Sequence, residues 1–106
     1  MPDYIEICRD LVISSINTEE YAVFLFGSRA FESHPGKADI DIGIIGKKQF
    51  PLQQKYRIKE KLENADIPYN VDIIDFYGTD EKFRITALKK IKIWSRPPHI
   101  DPGLKL

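Results

Sequence analysis

Residues 38–45 read Ala-Asp-Ile-Asp-Ile-Gly-Ile-Ile, and the alternation of Asp39, Ile40, Asp41 and Ile42 limits what this chain can fold into more than any other feature. Side chains along a β-strand point alternately to opposite faces. A period of two therefore turns Ile40 and Ile42 toward a core and Asp39 and Asp41 away from it. The segment is a strand with one packed face and one acidic face, and Gly46 closes it.

The rest of the chain supplies what such a strand needs. Residues 3–16 place Tyr4, Ile5, Cys8, Leu11, Val12 and Ser15 at helical intervals. Residues 22–26, Ala-Val-Phe-Leu-Phe, form an apolar run short and aromatic enough to be a buried strand. Gly27 ends it, and Ser28 is a good N-cap for a short helix running toward Glu32. His34, Pro35 and Gly36 are loop chemistry. Pro51 can open a helix, with Leu52, Tyr56, Ile58 and Leu62 on its apolar side. Ile67-Pro68 marks a turn. Residues 69–76 read as a third strand, with Asp72 and Ile74 on one face and Val71, Ile73 and Asp75 on the other. Thr79, Glu81 and Lys82 start a last helix that continues through Phe83, Ala87, Leu88 and Ile91, with Trp94 packing back on the body. Pro97, Pro98 and Pro102 make 97–106 a tail with little fixed structure, which leaves 1–96 as the domain. Strands alternating with helices predict an α/β fold, a small mixed sheet of three strands flanked by helices. The helix-free side of that sheet is left open to a partner or substrate.

Charge and cysteine content narrow the function. Sixteen basic residues balance sixteen acidic ones. A net charge of zero offers no general attraction for nucleic acid or an anionic membrane, so no direct nucleic-acid binding is expected and any phosphate binding must be local. No apolar run approaches the roughly 20 residues that span a bilayer, and no basic segment leads into an apolar one at the N-terminus. Cys8, among Ile5, Ile7, Leu11 and Val12, reads as a buried small hydrophobe. A cytoplasmic protein without membrane association is expected.

The chemistry is concentrated in Phe26-Gly27-Ser28-Arg29-Ala30 followed by Asp39-Ile40-Asp41. Gly27 has no side chain to keep a backbone away from a ligand. Ser28 adds a hydroxyl, and backbone N–H groups at the start of the next turn favour an anion such as a triphosphate. Asp39 and Asp41 repel each other unless a divalent cation lies between them. Magnesium takes hard oxygen ligands and shares them with substrate phosphate; manganese accepts the same set. Asp72 on a neighbouring strand supplies a third carboxylate, enough for two ions.

Gly27-Ser28, ten residues, then Asp39-x-Asp41 resembles the signature of the minimal nucleotidyltransferases, related to DNA polymerase beta and kanamycin nucleotidyltransferase. Val71-Asp72-Ile73-Ile74-Asp75 is similar to the strand bearing that family's third carboxylate, and 87–94 resembles its closing helix. The sequence departs from the family where Phe31 and Glu32 follow Gly-Ser-Arg-Ala, and where Ala38 precedes the first aspartate. The resemblance implies an antitoxin that transfers AMP from ATP to a tyrosine of a HEPN-type RNase toxin, releasing pyrophosphate. In that reading Asp39, Asp41 and Asp72 are catalytic and hold two magnesium ions. Gly27, Ser28 and Arg29 bind the nucleotide, and the protein works as a homo- or hetero-oligomer. The alternative is a binding module that neutralises a helical partner by contact, its carboxylates inactive. Transfer to a small molecule such as an aminoglycoside is a third reading, weakened by the absence of a second domain.

Other residues carry plainer expectations. Arg29 contacts phosphate or pairs with Glu32 at helical spacing. Asp75, facing away from Asp72, belongs to a salt bridge or a turn. Lys47 and Lys48 form a solvated loop or meet phosphate. Lys89, Lys90 and Lys92 sit near a helix end, where cations are favourable. His34 and His99 are exposed, and Tyr77 and Trp94 pack.

Overall fold

The computed structural model describes residues 3–31 and 39–100, apart from the side chains of Ser28 and Phe31. Glu32, His34, Pro35, Gly36 and Ala38 lie outside the described residues, as does the sequence beyond Ile100. The elements in chain order are α1 (Tyr4–Ile13), β1 (Tyr21–Phe26), a 3₁₀ turn (Gly27–Phe31), β2 (Ile40–Gly46), α2 (Leu52–Asn64), β3 (Val71–Asp75), α3 (Glu81–Ala87) and β4 (Lys92–Ser95). They build one four-stranded sheet in the order β3-β2-β1-β4. β1 pairs antiparallel with β2 and with β4, and β2 pairs parallel with β3. The sheet is thus mixed and flanked by helices, as the sequence predicts.

Period-two alternation sorts the sheet into two faces. Val23, Leu25, Ile40, Ile42, Ile44 and Ile73 pack with Cys8 and Val12 of α1 and with Ile58 and Leu62 of α2. Burial pushes the Cys8 thiol up to about 11, so it is an unreactive hydrophobe at neutral pH. The opposite face gathers Ala22, Phe24, Phe26, Ile45 and Phe76, covered in part by Ala87, Leu88, Ile91 and Ile100. That face was expected to be free of helices; α3 and the Ile100 segment cover its apolar end. The helix ends are capped by short side chains. Asp3 accepts from the Glu6 N–H and Asp80 from the Phe83 N–H.

Four expectations need correction. The sheet has four strands, not three. The segment 87–94 is not a closing helix: α3 stops at Ala87, and Lys92-Ile93-Trp94-Ser95 is a strand. Without β4, fully buried β1 would leave its backbone groups on one edge unpaired in the interior, which is costly. Trp94 does pack on the core, but from that strand. The apolar side of α2 is Ile58 and Leu62 alone, because Leu52 and Tyr56 are 52% and 64% exposed. Lastly, residues 97–100 carry fixed structure: Ile100 is buried, its N–H donates to the Pro97 carbonyl, and Arg96 donates to the Ile100 carbonyl. Among the described residues no helix is long and apolar enough to cross a membrane.

Candidate active site

The site follows from the β2-α2-β3 unit. Parallel neighbours need a crossover, which α2 provides, and they run from the same edge of the sheet. Asp41 and Asp72 each stand second in their strands, and the register sets them directly opposite one another. Adjacent strands lie about 4.8 Å apart, so the two carboxylates are neighbours on one face. Asp39 precedes β2 by one residue on the same side and is exposed, like Asp72.

Asp41 is the enclosed member of the three. Across β1 it opposes Phe26, whose ring meets Phe76 and Phe24. This aromatic floor withdraws water from one side of the carboxylate. Burial, then the charge of Asp72, then that of Asp39 raise the Asp41 pKa above the ordinary carboxylate value. A site that disfavours its own negative charge favours a cation.

The glycine turn lies against the same carboxylate. Gly27 has φ +74°, and a Cβ built there would collide with Asp41 Oδ2. Any side chain there would strain the backbone, because φ is positive, and would push the Asp41 carboxylate aside. The five residues after β1 form a 3₁₀ turn rather than an α-helix. Arg29 lies with its guanidinium carbon 4.4 Å from the centroid of the Tyr69 ring, a cation–π contact. Spacing alone offers Arg29 a phosphate or Glu32, and not this ring.

Some candidates stand elsewhere. Lys47 and Lys48 follow Gly46 at the opposite end of β2 from Asp41, and Lys48 lies 3.9 Å from Glu20. They do not reach the carboxylates. His99 is exposed beside them, lining a surface depression with Glu19 and Glu20. Tyr77 is half exposed beyond β3. Asp75 serves a turn: its carboxylate accepts from the Phe50 N–H at 2.8 Å and from the Tyr77 N–H at 3.0 Å. Asp75→Ala would strand the Phe50 donor beside a buried ring, at a cost of about 1–3 kcal/mol. Nucleotide binding by the folded fraction is expected to be unchanged; urea unfolding and a binding titration on one sample check both.

Two residues escaped sequence reading. Periodicity gives Tyr69 only a place in the third strand, yet it precedes β3, carries Arg29 and meets Tyr4 edge-on at 5.9 Å. No local signal exposes such a pairing. Gly43 lies beneath Phe24 and Phe76, and a Cβ there would strike the Phe24 ring. A glycine inside an otherwise β-branched strand signals such a close approach.

The donor set suits a hard divalent ion. Three carboxylates, one of them burdened by the other two, match the few protein oxygens that magnesium takes when phosphate completes its shell. Among the described residues, no group of three histidine, cysteine or acidic side chains closes around an ion by itself.

A family profile for polymerase beta-type nucleotidyltransferases matches residues 13–99, which span the sheet, both carboxylate strands and the glycine turn. The chain belongs to that family. The chain is 34% identical over 65 residues to the probable protein adenylyltransferase MntA of Haemophilus influenzae, covering 61% of this chain and 57% of that protein. It therefore spans a little over half the length of that curated relative. Its fold is shared with a crystal structure of a toxin–antitoxin with AMP-PNP, at a TM-score of 0.68 and 18% identity over 92% of this chain and 76% of that one. It is shared too with tri-AMPylated Shewanella oneidensis HEPN toxin in complex with MNT antitoxin, at a TM-score of 0.61 and 17% identity over 86% and 71% of the two chains. At such identities the likeness concerns the fold.

Proposed function

We propose that this chain is a magnesium-dependent adenylyltransferase of the cytoplasm that moves AMP from ATP to a tyrosine hydroxyl of a HEPN-class toxin. The observation that carries the reading is the register of Asp41 against Asp72, with the Gly27 turn seated on Asp41. The names of the similar proteins point the same way: one is a probable protein adenylyltransferase, and another is an antitoxin with an AMPylated toxin.

In this reading Asp39, Asp41 and Asp72 would hold magnesium, which supplies neutralisation of the triphosphate and of the charge developing on the leaving group. Gly27 admits the β- and γ-phosphates next to Asp41 because nothing projects from its Cα. Ser28 would add a hydroxyl donor, and Arg29 a positive charge at the rim. Asp72, exposed at the edge strand, faces the acceptor. The phenol oxygen forms a bond to the α-phosphorus, the bond to the bridging oxygen breaks, and pyrophosphate departs. The phenol proton leaves toward Asp72. Positioning and charge carry most of such a transfer, since the protein forms no covalent bond of its own.

Mass spectrometry of the co-purified partner after incubation with ATP and magnesium is expected to show AMP on one or more tyrosines. A partner silenced without added mass, and without ATP, would instead identify a contact-only antitoxin.

A further inference from the structure

β3 is an edge strand, and among the described residues nothing pairs with its outer side. The Ile40 N–H donates to the Asn70 carbonyl, and the Phe76 N–H to the Ile44 carbonyl. Even-numbered residues of this strand therefore turn their backbone groups toward β2. In a ladder the groups alternate, so Val71 and Ile73 present theirs outward. Alongside runs a cleft of about 430 Å³ between α2 and β3. Leu62 and Ile67 give it an apolar floor, Lys59 and Glu63 flank it from α2, and Asn70 and Asp72 line the strand side. Asp72 belongs both to this cleft and to the carboxylate face.

We infer that the β3 edge and its cleft form the acceptor-docking groove, which takes an extended peptide segment of the partner protein as an added strand. The inference rests on the transferase reading and specifies how the acceptor is presented to it. A largely polar cleft beside unpaired strand amides suits main-chain recognition. The alternation of an extended chain then does the sorting. A tyrosine on the Asp72 side of the sheet brings its hydroxyl to the carboxylates. The residues just before and after it turn to the other side, into the cleft over Leu62 and Ile67. The groove thus selects a tyrosine between apolar neighbours, with charged residues farther out meeting Lys59 and Glu63. Tyr69, which lines the same cleft and carries Arg29, links the docked segment to the glycine turn.

The probe is a short synthetic peptide with one central tyrosine between valines, compared with a version carrying proline at alternate positions, which cannot donate the ladder hydrogen bonds. In amide NMR spectra of the full chain, the tyrosine peptide is expected to shift Asn70, Val71 and Ile73, and the proline version is not. With ATP and magnesium, Asn70→Trp, an exposed position that a large ring would block, is expected to raise the KM for the peptide about tenfold or more. ATP affinity and kcat at saturating peptide should be unchanged. Shifts mapping elsewhere, no shifts at all, or equal binding of the proline peptide overturn the groove. Edge amides that shift while neither peptide nor partner ever gains AMP leave the groove standing and remove the transferase reading. AMP transfer with an unaltered KM in the Asn70→Trp variant does the reverse.

Discussion

The double variant Asp39→Asn, Asp41→Asn is expected to lose AMP transfer by a factor on the order of 10³ or more and, without metal, to melt at a higher temperature than the parent. Both effects come from one cause. Asp41 carries a raised pKa from burial and from the charges of Asp72 and Asp39. A carboxylate whose folded pKa lies above its unfolded value destabilises the fold wherever it is ionised. The penalty is complete at neutral pH. It shrinks as pH falls through the raised folded value and vanishes below the ordinary value of 3.8. Asparagine removes the charge and with it the penalty, while removing the ligand that needs that charge. Melting curves in chelator from pH 7 downward should show the gap between parent and variant closing in the acidic range. Retained transfer would dismiss the carboxylates from catalysis; a variant that melts lower at pH 7 would dismiss their mutual repulsion. Such a trade of stability for activity is common where like charges are gathered for function.

Gly27→Ala is the second large effect, and Gly78→Ala is its matched control. Both glycines have positive φ, +74° and +76°. Alanine in that region costs roughly 1 kcal/mol at either place. The surroundings differ: a Cβ at Gly78 meets nothing within 4 Å, whereas at Gly27 it runs into the Asp41 carboxylate. In the Gly27 variant either the turn or the carboxylate must move on the order of 1 Å. A displacement of that size in a phosphoryl-transfer site costs about 100-fold in rate. The expected result is a similar loss of backbone stability in both variants, with additional destabilisation and the loss of transfer confined to Gly27→Ala. Equal activities in the two would separate the glycine turn from the chemistry. Denaturant unfolding and initial-rate assays read the two terms separately.

The site was legible in the sequence to the extent that it is local. Asp39 and Asp41 share a face because strand side chains alternate, whatever the strand packs against. Gly27 stands out as a point where a ligand can approach the backbone, because it has no side chain. The helices and the second and third strands are readable from hydrophobic period, and the first strand from its continuous apolar run. Where a short apolar stretch fits either period, sequence alone did not decide. Residues 87–94 have the spacing of a helix, and Ile91, Ile93 and Trp94 have the composition of a strand. The open edge of β1 settled the matter. Leu52 and Tyr56 are four residues apart, as are Ile58 and Leu62, but the two pairs stand on different sides of α2 and only the second is buried.

What the sequence determined by itself is the chemical inventory and its local direction: two acids on one strand face, a third on another strand, and a glycine at the end of an apolar strand. What only the tertiary structure decided is that Asp72 stands opposite Asp41, that the strand edge beyond it, unpaired among the described residues, borders a cleft, and that Arg29 rests on Tyr69. Those facts depend on strand register and on which elements become neighbours. Register is set by the sum of core contacts across the α2 crossover, not by any run of residues within it.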